Sequence, residues 1–228
     1  AAGIWTGGIK TSLYPAGAPV RRIRVRPSVT LPAGWQAATA LLGASRRGSR
    51  VAWGETDYET LVDSPIFAGA WMRNWNLGRS ISLSAVADSP ELLDLRTEHQ
   101  QALAAMGEEA LALFGRPPFE RYTFLVALSE RLGGIGLEHL ESSENQLEPL
   151  NFLRWSEYDW DRNVLPHELV HSWNGKYRRP ARLWTPDYRT PMHNELLWVY
   201  EGQTQFWGWV LAARSGVQQK ETVLGMIA

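Results

Sequence analysis

The pentapeptide His167-Glu168-Leu169-Val170-His171 is the feature that most restricts how this chain can fold. Its two histidines are four residues apart, so on an α-helix they lie on one face, where both imidazoles can bind one cation. Glu168 borders that face and can accept a proton from a zinc-bound water molecule. The motif therefore predicts a helix that carries the metal site of a zinc-dependent peptidase. The alternative is a helix whose histidines are ordinary surface or core residues.

The residues around the motif predict a short helix with defined ends. Asn163 is a preferred N-cap residue, and Pro166 falls within the first turn, where its missing N–H costs no hydrogen bond. Asn174 and Gly175 follow the motif, and glycine just beyond a helix is a common C-terminal cap. The helix is expected to pack into a core through Leu165, Leu169, Val170 and Trp173.

A third metal ligand is expected downstream, because a catalytic zinc site usually has three protein ligands and one open position. The sequence from Asn194 onward suits a second helix, in which Glu195 and Glu201 are the candidates. Glu195 would lie in the exposed first turn, where an acidic side chain complements the helix dipole. A structural role is therefore favoured for Glu195.

Glu201 would lie well inside that helix, beside apolar side chains that make an unpaired carboxylate costly. These neighbours are Leu197, Trp198, Val199 and Phe206. Gly202 and Gly208 each cost the helix about 1 kcal/mol relative to alanine, and a close approach of the two helices would explain both. The pattern favours Glu201 as the residue that reaches the metal.

Residues 165–174 and 197–204 resemble the glycyl aminopeptidase family, bacterial zinc peptidases that often carry a PDZ domain. Residues 55–69 are similar to the junction before the catalytic domain of that family. Its relation to aminopeptidase N and thermolysin implies an α+β fold, with a thermolysin-like zincin catalytic domain preceded by a β-rich module. The resemblance implies a Zn²⁺ site with three protein ligands and one catalytic base, which are His167, His171, Glu201 and Glu168.

The resemblance also implies residues that contact a peptide substrate. Residues 121–129 suit a buried strand, after which Gly133 and Gly134 are expected to turn the chain into an edge strand. In aminopeptidase N a glutamate on the matching strand receives the free amino group, which implies that role for Glu138, with His139 beside it. An edge strand can also pair with an extended peptide. The alternative is a solvent-facing Glu-His pair on a hairpin.

Composition limits the domain organisation. Hydrophobic residues make up 44% of the 228 residues, enough for one large core or two modest ones. Residues 1–76 contain short alternating stretches between Gly, Pro and Ser, which predicts a β-rich module. Residues 77–228 alternate strands with longer helical patterns, which predicts the zinc peptidase domain. No apolar run approaches the roughly 18 residues of a membrane helix.

Charge and residue usage restrict the chemistry further. The chain has no cysteine, so a metal site must use histidine and carboxylate ligands. The formal net charge is −1, and the basic residues within 176–182 are expected to form a solvated loop rather than a nucleic-acid patch. His99, in a helical pattern at 90–114, is expected to be solvated. Core packing is expected for most tryptophans near the zinc segments, which are Trp155, Trp160, Trp173, Trp184, Trp198, Trp207 and Trp209.

The histidine motif predicts a zinc peptidase, and the resemblance implies an aminopeptidase that acts on peptides with a free N-terminus and prefers glycine and alanine. A zinc endopeptidase and an inactive zincin-like binding scaffold are the alternatives. Residues 220–228 suit the beginning of another helix, so a C-terminal remainder is expected. None of Tyr177, Tyr188 and Tyr200 is assigned the role of stabilising the oxyanion.

The family resemblance favours a periplasmic or secreted location and leaves a cytoplasmic one open. Residues 1–3 would suit a start from which a leader was removed.

Overall fold

The computed structural model describes residues 4–7, 13–132 and 134–228. The proposed leader junction at residues 1–3 and the turn residue Gly133 lie outside these ranges. Within them, no helix is both long and apolar enough to cross a membrane.

The N-terminal part consists of small sheets whose strand pairs are all antiparallel. β1 and β4 flank β8, β2 pairs with β7, and β6 lies between β3 and β5. A short helix, α1 (Tyr58–Val62), begins at Asp57, whose Oδ1 accepts a hydrogen bond from Thr60 N at 3.0 Å. The strands are β1 (Ile4–Gly7), β2 (Arg24–Val25), β3 (Ser28–Thr30), β4 (Gln36–Ala38), β5 (Ser45–Arg47), β6 (Arg50–Ala52), β7 (Thr56–Asp57) and β8 (Ile66–Gly69). The β-rich module expected here is therefore present.

The second part is organised around a five-stranded sheet in the order β12-β13-β11-β10-β9. Its strands are β9 (Trp71–Gly78), β10 (Ile81–Ala87), β11 (Tyr122–Leu128), β12 (Ile135–Glu138) and β13 (Ser142–Leu147). β10, β11 and β13 are parallel, whereas β9 and β12 run antiparallel to their neighbours at the two edges. Every residue of β11 is buried, as the apolar sequence predicted, and β12 is the predicted edge strand.

The boundary predicted at residue 76 falls inside β9. β9 pairs with β10 from Trp71 to Gly78, so all of it belongs to the larger sheet. The change from one sheet system to the other lies between Gly69, which ends β8, and Trp71.

Helices cover this sheet and carry the histidine motif. They are α2 (Thr97–Phe114), α3 (Val164–His171), α4 (Thr204–Ser215) and α5 (Lys220–Ile227). Shorter 3₁₀ segments lie at Val20–Arg22, Pro90–Leu93, Trp155–Asp161 and Ala181–Leu183, and a π-helical segment, Val199–Gln203, leads into α4. α2 connects β10 to the parallel strand β11 and packs on α4, while α3 packs against β12, β13 and α4. The α+β architecture is thus confirmed, with α3 between the sheet edge and α4.

The ends of α3 differ from the sequence prediction. Asn163 occupies the N-cap position, but within the described structure its side chain makes no capping hydrogen bond. Gly175 has a φ of +126°, outside the left-handed helical range, and its N–H donates to Arg178 O at 2.8 Å. The Asn-Gly pair therefore forms a turn beyond the helix rather than its cap.

Two expectations about burial are wrong. His99 is buried and stacks on Trp155, with 4.1 Å between ring centroids, because α2 faces the core at this residue. Burial lowers the pKa of His99. Core packing does not account for most of the seven tryptophans near the histidine motif: Trp155, Trp173 and Trp207 are half-buried against the core, Trp209 is half-buried, and Trp160, Trp184 and Trp198 are exposed.

Candidate metal centre

The two histidines of α3 face each other at its C-terminal end. Their Nε2 atoms are 3.0 Å apart. His171 is buried, and its Nδ1 lies 3.0 Å from the backbone oxygen of Asn174, to which an Nδ1–H donates. That hydrogen bond leaves the lone pair on Nε2 free for a cation. Burial lowers the pKa of His167 to about 4, so this imidazole is neutral, as a metal ligand must be.

Glu201 brings a carboxylate oxygen to the same point. Its Oε2 lies 3.3 Å from His171 Nε2 and 3.5 Å from His167 Nε2. Two ligand atoms about 2.0–2.1 Å from a tetrahedral zinc ion lie about 3.3 Å from each other. The three atoms therefore have the spacing and the chemistry to hold a zinc ion.

The surroundings of Glu201 differ from the apolar environment expected for it. The side chain is 48% exposed, because Trp198, Leu197 and Phe206 beside it also face outward. The cost of burying a carboxylate therefore does not identify Glu201 as the third ligand. The short distances from its carboxylate to the two imidazoles do.

A π-helical turn carries Glu201 toward α3. The wider turn spans Val199–Gln203 and continues directly into α4. Asn174, just after the histidine motif, donates from Nδ2 to the backbone oxygen of Val199 at 3.0 Å and to Thr204 Oγ1 at 2.9 Å. The amide side chain thus satisfies groups at the irregular turn and ties it to α3.

The two helices approach closely at only one of the two predicted glycines. A Cβ atom on Gly208 would lie 3.0 Å from His167 Cα, so the absence of a side chain there lets α4 reach α3. A Cβ atom on Gly202 would meet nothing within 4 Å. Gly208 fits the predicted role, and Gly202 does not.

Glu168 lies beside the histidines but is oriented toward the sheet edge. Ligand atoms of His167, Glu168 and His171 lie within 4.8 Å of one another. Glu168 is buried, and burial raises its pKa to about 9, with the charges of Glu138 and Glu201 adding to the effect. A divalent cation between the imidazoles would favour its ionised form.

Glu138 ends the edge strand β12 next to this cluster. The hydroxyl of Tyr200 donates a hydrogen bond to its Oε1. Burial alone would raise the pKa of Glu138, but the charge of His171 and the bond from Tyr200 outweigh burial and lower it. Glu138 is therefore an ionised carboxylate that adjoins the candidate metal centre.

His139 is held apart from the metal-binding side chains. Its Nδ1 lies 3.1 Å from Asp63 Oδ1 and its Nε2 lies 3.2 Å from Glu144 Oε1. Both ring nitrogens can donate to carboxylates only if the imidazole is protonated. Burial would lower the pKa of His139, but these hydrogen bonds raise it. This geometry favours a structural role for His139 over the substrate contact that the resemblance implied.

Glu195, the other candidate for the third ligand, is half exposed and pairs with Arg182 at 2.7 Å. Sequence reasoning missed the contributions of Asn174 and Tyr200, and it missed that of Gly136, where a Cβ atom would lie 2.2 Å from Glu168 Oε1. The one local signal was the Asn-Gly pair, which was interpreted only as the end of a helix.

Comparison with known proteins points to one family. The family model described as M61 glycyl aminopeptidase matches residues 160–228, and the Peptidase M61 N-terminal domain matches residues 5–70. A search of curated proteins found no match.

Solved structures share the fold. An aminopeptidase N family protein from Idiomarina loihiensis is 25% identical, with a TM-score of 0.70 over 88% of this chain and 36% of its own. Native leukotriene A4 hydrolase from Saccharomyces cerevisiae is 14% identical, with a TM-score of 0.59 over 98% of this chain and 33% of its own. An M1 zinc metallopeptidase mutant from Deinococcus radiodurans is 16% identical, with a TM-score of 0.50 over 89% of this chain and 42% of its own.

The chain thus spans between a third and just over two fifths of these solved proteins. The two family matches lie on the N-terminal sheets and on the segment with the histidine motif, and together they cover more than half of the residues. The chain belongs to the M61 glycyl aminopeptidase family.

Proposed function

We propose that this chain carries the catalytic centre of a zinc-dependent aminopeptidase that removes small residues, such as glycine and alanine, from the N-terminus of peptides. The observation that carries the proposal is the meeting of three ligand atoms, from His167, His171 and Glu201, within 3.5 Å of one another. These atoms come from two helices, and their spacing suits a tetrahedral metal ion. Family membership supports the aminopeptidase activity and the preference for small residues.

His167, His171 and Glu201 would hold the zinc ion. When bound, such an ion acts as a Lewis acid that polarises a carbonyl group and makes water more acidic. Asn174 fixes the tautomer of His171 through its backbone oxygen, and its side chain fixes the turn that bears Glu201. The ligands are therefore oriented before any metal binds.

Glu168 supplies the proton transfers. As a carboxylate it accepts a proton from the attacking water, and as a carboxylic acid it donates that proton to the leaving amine. Its burial and the nearby carboxylates favour the protonated form after the first transfer. The group is thus suited to both steps.

Glu138 and β12 would position the substrate. The ionised carboxylate of Glu138 can pair with the ammonium group of a free N-terminus. β12 is an edge strand whose outer backbone groups can pair with an extended peptide. Together they would place the first peptide bond near Glu168 and restrict cleavage to it.

The test compares Glu168→Gln with His171→Ala. Zinc per chain is measured by elemental analysis, and hydrolysis of glycyl- and alanyl-p-nitroanilide is measured on the same samples. Glu168→Gln should retain zinc and lose about 10²–10⁴-fold in kcat, since it removes the general base. His171→Ala should lose both zinc and activity. Glu195→Gln, at an exposed carboxylate, is the matched control and should behave as wild type.

The same assay separates the alternatives. Full activity in Glu168→Gln would overturn the catalytic assignment. Cleavage of N-acetylated peptides but not of free-amine substrates would identify an endopeptidase. One zinc per chain without hydrolysis of either substrate class would identify a binding scaffold.

A further inference from the structure

Tyr200 and Glu201 are neighbours in the π-helical turn, but their side chains differ in exposure. Tyr200 is buried, whereas Glu201 is 48% exposed and reaches the histidines. The hydroxyl of Tyr200 donates to Glu138 Oε1 on β12, 62 residues earlier in the chain. Tyr200 thus links the turn that carries the third metal ligand to the carboxylate at the end of the edge strand.

The ring of Tyr200 is held on two sides. A Cβ atom on Gly175 would lie 2.6 Å from Tyr200 Cζ, so the glycine backbone packs directly against the ring. On another side the centroid of the His171 imidazole lies 4.9 Å from that of the phenol. Because both neighbours are buried, the hydroxyl has a defined position.

The hydrogen bond orients Glu138 without neutralising it. A glutamate side chain has several rotatable bonds, and fixing them in advance lowers the entropy lost when a ligand binds. A phenol is a neutral donor, so the carboxylate keeps its charge. A carboxylate offers about four lone-pair directions, so one hydroxyl leaves room for the donors of an ammonium group.

A cation close to this pair, Lys176, is engaged elsewhere. The charge of Lys176 acts on Glu138, but its ammonium group forms its ion pair with Asp63. The carboxylate of Glu138 is therefore oriented by a hydroxyl while its charge is left for a positively charged group from outside.

We propose that Tyr200 is a specificity-determining residue that positions Glu138 to receive the free amino group of the substrate. This inference rests on the proposed aminopeptidase function and adds the residue on which selection of a free N-terminus depends. Tyr200 acts through Glu138 and does not touch the reacting atoms, so it is a positioning residue.

The test is Tyr200→Phe, which keeps the ring against Gly175 and His171 and removes only the hydroxyl. For alanyl-p-nitroanilide we expect KM to rise about tenfold or more, the size expected for one hydrogen bond to a charged group. We expect kcat to change much less, and zinc content to stay the same. Inhibition by acetohydroxamate, which binds zinc and has no amino group, should also be unchanged. Tyr177→Phe, at a side chain 65% exposed, is the matched control and should leave all four readouts unchanged.

A double-mutant cycle with Glu138→Gln separates positioning from packing. If Tyr200 acts through Glu138, adding Tyr200→Phe to Glu138→Gln causes no further loss in kcat/KM. Two losses that multiply would overturn the proposal, as would an unchanged KM in the single variant. Loss of zinc or a lower melting temperature in Tyr200→Phe would assign the residue to support of the metal centre and would also overturn it.

The wild-type protein shows which idea has failed. If the wild-type protein hydrolyses the substrate and Tyr200→Phe has the same KM and kcat, only the role of Tyr200 is refuted and the proposed function stands. A zinc-loaded wild-type protein that hydrolyses no free-amine substrate refutes the proposed function, and this inference with it.

Discussion

Gly136 lies on the edge strand β12 against the carboxylate of Glu168. A Cβ atom at this position would be 2.2 Å from Glu168 Oε1 and 3.1 Å from its Cδ. It would also lie 2.9 Å from Val164 Cγ2. All of these are side-chain atoms, which move more easily than backbone, so Gly136→Ala should displace the carboxylate and leave the fold intact. Because a general base contributes about 10²–10⁴-fold, we expect kcat to fall at least about tenfold. A peptidase assay and a thermal melt on the same sample measure the two effects.

Gly134→Ala is the matched control for this substitution. A Cβ atom on Gly134 would meet nothing within 4 Å, although the residue lies just before the same strand. Gly134→Ala should therefore retain activity. Equal losses in both variants would show that the strand backbone, and not the position of Glu168, is sensitive to the added methyl group.

At the scale of residues, the sequence predicted the parts of the site that are local. The spacing of His167 and His171 on one helix places their imidazoles together whatever the rest of the fold does. The contacts of Gly136 and Tyr200 join segments far apart in the chain, and no periodic pattern reports them. The expected burial of Glu201 was wrong because apolar residues on a helix need not face the core.

The helix pair α3–α4 depends on Gly208. A Cβ atom at this position would lie 3.0 Å from His167 Cα and 3.2 Å from His167 N, and these backbone atoms cannot easily give way. Gly208→Ala should therefore push α4 from α3 and separate Glu201 from the imidazoles. Overpacking of this kind costs about 1–3 kcal/mol, so we expect zinc affinity to fall roughly tenfold or more. Competition with a chromogenic chelator measures that affinity.

Gly202→Ala is the matched control, because it adds the same methyl group at a position with no neighbouring atoms. A Cβ atom there would contact nothing within 4 Å, so zinc affinity should stay at the wild-type value. A loss of affinity in Gly202→Ala as large as that in Gly208→Ala would mean that glycine matters for the π-helical turn rather than for the distance between helices.

At the scale of elements, the apolar run of β11 and the periodicity of α3 were sufficient to predict both. The π-helical turn was not predictable, because a backbone oxygen in it, that of Val199, accepts a hydrogen bond from Asn174 in another segment. A local sequence pattern does not report such a contact. The domain boundary was misplaced because the composition of residues 71–76 does not show which sheet they join. Their assignment is decided by pairing with β10, a contact that the sequence pattern does not specify.

A partly buried charge network joins the N-terminal sheets to the larger sheet. Asp63, which follows α1, contacts both Lys176 and His139 and accepts a hydrogen bond from Leu140 N at 2.9 Å. Glu144 on β13 holds the other nitrogen of His139. The sequence predicted two modules, but their connection depends on charges separated by up to 113 residues. Removal of one buried partner leaves the others uncompensated, so the network should couple the stability of the two parts.

Asp63→Asn should show how this coupling depends on pH. Burial alone would raise the pKa of Asp63, but Lys176 and His139 lower it to about 2 from an ordinary 3.8. Its contribution, roughly 2 kcal/mol, is therefore present above pH 3.8 and is lost as pH falls through 2. The pKa of His139 is raised above 6.5, so its contribution is present below pH 6.5 and is lost as pH rises through the folded value.

The stability difference between wild type and Asp63→Asn should thus be greatest between about pH 4 and 6.5 and should shrink on both sides. Urea unfolding of both proteins across this range measures the difference, and metal-linked effects cancel because neither Asp63 nor His139 is a candidate ligand. Asp94→Asn, at an exposed carboxylate, is the control and should change stability by less than about 0.5 kcal/mol at every pH. A difference for Asp63→Asn that is constant with pH would mean that the network contributes packing rather than charge.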